Sequence, residues 1–191
     1  MLLSSFTNTG SHNYSDILTD AETFAHLRVG SAPSDSALIQ RIRDAALQQV
    51  EARANVSLRR GTMSAKLTGF NPGAFPIGPN VNVTSVQYVG AAGGAAQTFD
   101  SANYSFSSQG NVQRIVFYNT PGTHPYTLEP VTINFEVGYN AAADIPGDLI
   151  QAALLLVGHF YENRQENTTG MMPAALQTGV DALLSPYRVM F

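Results

Sequence analysis

The stretch Pro146-Gly147-Asp148-Leu149-Ile150-Gln151-Ala152-Ala153-Leu154-Leu155-Leu156-Val157-Gly158-His159-Phe160-Tyr161 decides how this chain is read. Proline is tolerated in the first turn of a helix and blocks helix before it, so Pro146 is expected at the first helical position. The helix should run to about Asn163 or Glu166. Through Leu149, Ile150, Ala152, Ala153, Leu154, Leu155, Leu156, Val157, Phe160 and Tyr161 it is apolar on nearly every side. A helix of that kind must be covered on every side. The run Leu149 to Tyr161 has 13 residues and includes Gln151 and His159, short of the roughly 20 that span a bilayer, so the cover is protein and not lipid. In a chain of 191 residues the three or so other helices supply part of that cover. Each Leu left wet forgoes about 1.5–3 kcal/mol of burial, and a neighbouring subunit is the expected source of the remainder.

On either side of this helix the period of the apolar residues changes twice, from helical to alternating and back. After a polar leader to about Leu18, Thr19-Asp20-Ala21-Glu22 has the Ser/Thr-x-x-Glu form of a capping box, and a short helix to about Leu27 follows. Gly30 to Pro33 breaks it. Ser34 or Asp35 then caps a longer helix with Leu38, Ile39, Ile42, Ala45, Ala46 and Val50 on one stripe and Arg41, Arg43, Asp44, Gln48 and Glu51 mainly opposite. Beyond the Asn167 to Gly170 turn, Pro173 opens a last helix with Val180, Leu183 and Leu184. Pro186 ends it and leaves Tyr187 to Phe191 as a tail.

Between the helical parts, from Gly61 to Asn140, Gly, Pro and Asn punctuate short β-type runs. Val131, Ile133, Phe135 and Val137 alternate with Thr132, Asn134 and Glu136, the pattern of a strand with one buried and one wet face. Within Val81 to Val89 the apolar phase shifts between Val83 and Val86, which predicts a β-bulge near Thr84 and Ser85. Tyr104 and Phe106, then Ile115 to Tyr118, supply further strands, and Gly90 to Gln97 reads as a hairpin tip. The fold class expected is α+β: an antiparallel helical bundle formed by the N- and C-terminal helices, with a small antiparallel β domain inserted. Residues 1–18 are read as a polar arm, 19–60 and 141–191 as a discontinuous helical domain, and 61–140 as the β insertion.

Composition narrows the function. Ten Lys plus Arg against 14 Asp plus Glu give a formal charge of −4, which argues against a surface built to neutralise phosphates. Lys66 is the only lysine among the ten cations, and a bias to arginine suits fixed, planar contacts at interfaces. With no cysteine, disulfides, thiolate nucleophiles and Cys-ligated metals are excluded. Met1 to Gly10 has neither the basic nor the apolar part of a secretory signal, so the expectation is a chain kept in a cytoplasm. The Asn-x-Ser/Thr triplets at Asn13, Asn55, Asn82, Asn103 and Asn167 then read as chance products of composition. His159 and Glu162 stand at i and i+3, a metal-compatible spacing, yet no second His–carboxylate pair completes a site. His12, His26 and His124 are scattered. No nucleophile elbow, phosphate loop or dinucleotide fingerprint is present. The reading is therefore of a non-enzyme without cofactor or metal.

The order of elements and particular residues resemble the head-tail connector, or adaptor, proteins of long-tailed phages and phage-like gene transfer particles. Leu18-Thr19-Asp20-Ala21-Glu22 through His26-Leu27-Arg28-Val29 and Ala37-Leu38-Ile39 carry the likeness, as do Val131 to Tyr139 and Pro146 through Gly158-His159-Phe160-Tyr161-Glu162-Asn163-Arg164. So does the closing Leu183-Leu184-Ser185-Pro186-Tyr187-Arg188. The resemblance implies a virion protein assembled in a bacterial cytoplasm. About a dozen copies would form a ring beneath the portal protein, extend the channel through which DNA passes and offer a face to the next neck or tail component, a stopper or tail terminator. The polar leader Leu3 to Ile17 and the ending Arg188-Val189-Met190-Phe191 depart from the family pattern.

Two surfaces are singled out on this basis. Leu154, Leu155, Phe160, Tyr161, Glu162 and Arg164 are expected at the seam between adjacent subunits, because the charged residues directly follow the apolar turns. Tyr187, Arg188, Val189, Met190 and Phe191 are expected to dock on the portal, since Tyr, Arg, Met and Phe are enriched in interfaces. A competing expectation makes the chain a binding module whose β insertion takes a carbohydrate or a tail accessory protein through the Gly90 to Gln97 tip with Tyr88, Tyr104 and Tyr118.

Overall fold

The computed structural model describes residues 2–8, 13–107, 112–163 and 173–189. It combines helices with antiparallel sheet in two compact units. One comprises 1–10, 60–139 and 189–191 and is here the β unit; the other comprises 11–59 and 140–188 and is the helical unit.

In the β unit a five-stranded antiparallel sheet has the order β1-β2-β8-β4-β5, and a three-stranded sheet has the order β3-β7-β6. The first comprises β1 (Leu2–Asn8), β2 (Gly61–Leu67), β4 (Asn82–Tyr88), β5 (Gln97–Phe99) and β8 (Val131–Val137). The second comprises β3 (Gly73–Ala74), β6 (Tyr104–Ser107) and β7 (Arg114–Phe117). The alternation of β8 is realised along its length: Val131, Ile133, Phe135 and Val137 are fully buried. With β2 on one side and β4 on the other, β8 brings four large side chains to the core, each contributing about 1.5–3 kcal/mol of burial. Residues of both sheets share that core, among them Phe75, Val86, Phe99 and Ile115. The Phe75 and Phe135 rings meet edge to face at 4.8 Å, a preferred aromatic geometry. The predicted bulge is present: the β4–β8 register shifts between Val83 and Ser85.

The first 18 residues, read from sequence as a polar arm, contribute Leu2–Asn8 as β1, which pairs with β2 along the outer edge of the larger sheet. They also contribute a one-turn helix, α1 (Tyr14–Ile17), whose Tyr14 and Ile17 are buried. Backbone pairing with a neighbouring strand asks little of side-chain hydrophobicity, so the Ser, Thr and Asn of β1 gave no alternating signal.

The helical unit holds α1, α2 (Asp20–Leu27), α3 (Ser36–Ala54), α4 (Gly147–Glu162) and α5 (Ala174–Leu184). The capping box of α2 forms as its sequence predicts: Thr19 Oγ1 accepts from the Glu22 amide, and Glu22 Oε2 accepts from the Thr19 amide at 2.9 Å. Pro146 sits one place earlier than expected, at the N-cap, with an extended ψ of 136°. Along α3 the buried stripe is turned relative to the sequence reading. Ile39, Arg43, Ala46, Leu47, Val50 and Ala54 are buried, Leu38 is 39% exposed and Ala45 is exposed. Arg43, expected on the wet face, is buried because two carboxylates receive it: Asp20 on Nη1 and Asp44 on Nη2 at 2.8 Å. Its charge is thus paired where it leaves water, the condition for burying an arginine.

Candidate functional site

The seam expected from the sequence is built on α4, which packs against α2, α3 and α5. Leu149, Ala152, Ala153, Leu156 and Val157 are fully buried. Two alanines in this face let neighbouring helices approach closely, and the leucines fill the rest. Leu154 and Leu155 fall on the remaining side and are half-buried, as are Phe160 and Tyr161, while Glu162 is exposed. The helix is therefore neither wrapped on all sides within its unit nor left bare.

Its C-terminal turns are tied to other elements of the same unit. The Tyr161 hydroxyl donates to Asp35 Oδ2 at 3.3 Å. The ring of Phe160 lies 5.9 Å from that of His159, whose Nδ1 is 3.1 Å from the Asn163 amide nitrogen. Arg164 lies outside the described residues.

The expected docking tail is held down over its described part. A 3₁₀ turn at Ser185–Tyr187 follows α5. The Tyr187 hydroxyl donates to Asp148 Oδ2 at 2.9 Å, and that carboxylate raises the phenol's pKa, so the hydroxyl stays a neutral donor. Arg188 donates to Asp181 Oδ1 at 3.1 Å and through Nε to the Arg53 carbonyl at 3.2 Å. Val189 is only 4% exposed; a Cβ placed on Gly78 would come within 3.1 Å of its Cγ2. Its side chain is thus committed to the β unit. Met190 and Phe191 lie outside the described residues.

A second cluster in the helical unit anchors the segment after α3. Glu51 accepts from the Leu58 amide at 2.7 Å and from the Tyr14 hydroxyl, and the Arg59 guanidinium lies 4.0 Å from the centre of the Tyr14 ring. Burial, then the bond to Glu51, pushes the Tyr14 phenol well above its ordinary range. The group does structural work, fixing α1 against the end of α3. Among the described residues no three His, Asp or Glu gather as a metal site, and no helix is long and apolar enough to cross a membrane.

Of the aromatic residues assigned to a binding face, two are engaged in the core's margin around Phe99 and the third is half in water. Tyr88 packs on Phe70 at 5.5 Å and Tyr104 on Phe99 at 6.4 Å, both as part of the core's margin. Tyr118 is 48% exposed and shares a hydrogen bond with Ser105. The sequence reading passed over a different pair: Tyr126 and Leu128 are 91% and 87% exposed. A signal for them exists. They alternate with polar residues between Pro121, Pro125 and Pro130, and prolines so spaced cannot serve a central strand.

No protein-family model matches the chain, and no curated protein sequence matches it. Solved structures do. A chain of the neck of an empty gene transfer agent particle computed with C6 symmetry superposes with a TM-score of 0.72 at 24% identity, covering 98% of this chain and 97% of that one. A chain from the virion of a native gene transfer agent particle gives 0.72 at 25% identity over the same shares. The neck of the native particle computed with C12 symmetry gives 0.70 at 24% identity, covering 100% and 97%. The fold of these particle chains is shared from end to end.

Proposed function

We propose that this chain is a structural component of the neck of a phage-like virion, an adaptor subunit that works in a ring. The observation that carries the reading is the completeness of the fold match: the superposition takes in 97% or more of each chain in three neck or virion comparisons. The sixfold and twelvefold symmetry of two of those assemblies supports a ring, and a dodecamer is the copy number proposed.

The ring sits beneath the portal, continues its channel and offers its far face to a stopper or tail terminator. Its mechanism is geometric. Twelve copies at −4 each carry on the order of −48 charges, so DNA passes through the lumen without being held. The half-buried side of α4 with Leu154, Leu155, Phe160 and Tyr161, the exposed Glu162 and, beyond the helix in sequence, Arg164 form part of the seam between copies. Tyr187, Arg188, Met190 and Phe191 lie at the portal side, with Val189 as their internal anchor.

The test is to mix the purified chain with portal rings and image the mixture in negative stain. A second ring stacked coaxially on the portal is expected. Portal rings that stay bare at saturating concentrations of folded chain would refute the reading.

A further inference from the structure

Tyr126 and Leu128 belong to the connection between β7 and β8, and this loop is stapled. Thr123 bridges to Gly90, the His124 amide donates to the Val89 carbonyl at 3.1 Å, and the Val89 amide donates to the Pro130 carbonyl at 2.8 Å. The His124 ring lies 3.1 Å from Thr127 Oγ1 through Nδ1 and 5.8 Å from the Tyr126 ring. Little conformational freedom is left for a partner to remove, which is the condition under which a few exposed side chains bind well. Large apolar groups held rigidly in water forgo burial that a partner would restore.

The same unit carries a matching concavity. A groove of about 560 Å³ lies along β3 and β7, lined by Pro72, Ala74, Val112, Arg114 and Val116 among others. Its volume falls in the range of about 300–1,000 Å³ that accepts sizeable organic groups, room for an aromatic ring beside an isobutyl group. Val116 is 39% exposed there. Among the described residues nothing pairs with the Arg114 guanidinium. A guanidinium beside an apolar wall suits the face of a tyrosine ring.

We propose that Tyr126 and Leu128 of one copy insert into the β3–β7 groove of the next, joining copies head to tail. The inference rests on the ring reading and gives it a second contact, in the β unit. A cyclic assembly needs two different, complementary patches on each chain, and this unit has one convex and one concave. The two side chains bury a few hundred Å², far below the roughly 1,200 Å² of a stable interface, so the contact closes between copies already side by side and does not by itself make dimers.

The absence of native cysteine makes the test direct. Ala74→Cys and Leu128→Cys are introduced singly and together, the chains are assembled on portal rings, and a short bis-maleimide is added. The double variant should give a ladder of covalent multimers beyond the dimer, and each single variant none. In parallel, Tyr126→Ser with Leu128→Ser should fold normally and need at least tenfold more protein to cover portal rings, whereas Tyr118→Ser should not. Rings that form without a ladder, dimers from Leu128→Cys alone, cross-links to the portal, or unchanged ring formation by the serine variant would each overturn the proposal while leaving the ring reading intact. A native chain that forms no ring on the portal would defeat both.

Discussion

Helix α4 and the loop between β7 and β8 handle apolar surface in opposite ways. The helix is the most apolar segment of the chain, yet its leucines are buried or half-buried within the helical unit. The loop is Pro- and Thr-rich, yet it holds the two large apolar residues that are 91% and 87% exposed. The difference lies in how each element meets its neighbours. A helix with Ala152, Ala153 and Gly158 among its leucines admits close packing from several directions. A loop punctuated by prolines has no regular face even where its backbone is bonded, so a side chain on it either turns inward singly or stands in water. Total apolar content says how much must be buried; periodicity and local geometry say where.

The buried face of α4 is where a substitution should cost most. Leu156→Ala should lower stability by about 2–5 kcal/mol, since a fully buried leucine leaves a cavity as well as lost transfer energy. Urea denaturation measures it, and a loss below 1 kcal/mol would mean that α4 is not the centre of its unit. Leu154→Ala, on the half-buried side, should cost about 1 kcal/mol in the free chain, with a larger effect on ring formation than Leu156→Val.

The cover of α4 can be loosened from outside. Thr19→Ala removes the cap of α2, a helix that packs on α4, and should cost about 1 kcal/mol. Part of that is pH-dependent. Hydrogen bonds from Thr19 hold the Glu22 carboxyl below its ordinary pKa of 4.5 in the folded chain. Its contribution is therefore fully present above 4.5 and fades as pH falls through the lower folded value. The stability difference between native chain and variant should narrow on acidification below pH 4.5, as followed by thermal melts. The smallest effect is expected at the loop: Tyr126→Ser with Leu128→Ser should leave stability within about 0.5 kcal/mol of the native chain. A larger loss would show that the loop's aromatic residue supports the fold instead of facing a partner.

Much of the architecture was legible before any coordinates. The β8 alternation, the bulge in β4, the capping box of α2 and the punctuation by Pro146, Pro173 and Pro186 each follow from a local rule, and each appears within a residue of its expected place. Of the expected interaction surfaces, sequence identified the apolar helix but not which of its sides is covered. It read Tyr187 to Phe191 as a tail, whereas Tyr187 and Arg188 are bonded to Asp148, Asp181 and the Arg53 carbonyl. Such partners lie as much as 135 residues away along the chain, beyond the reach of any local pattern.

Local sequence sets where α2 and α4 begin, where α5 ends and which strand is buried on one face, because backbone dihedral preferences and side-chain periodicity act over a few residues. Contacts across the fold set the rest: Leu2–Asn8 completes a sheet, Arg43 turns inward to Asp20 and Asp44, and Tyr126 and Leu128 stay in water. Those outcomes depend on groups distant in the chain arriving within a few ångströms of one another, and whether a polar residue is paired or an apolar one is covered is fixed only at that meeting.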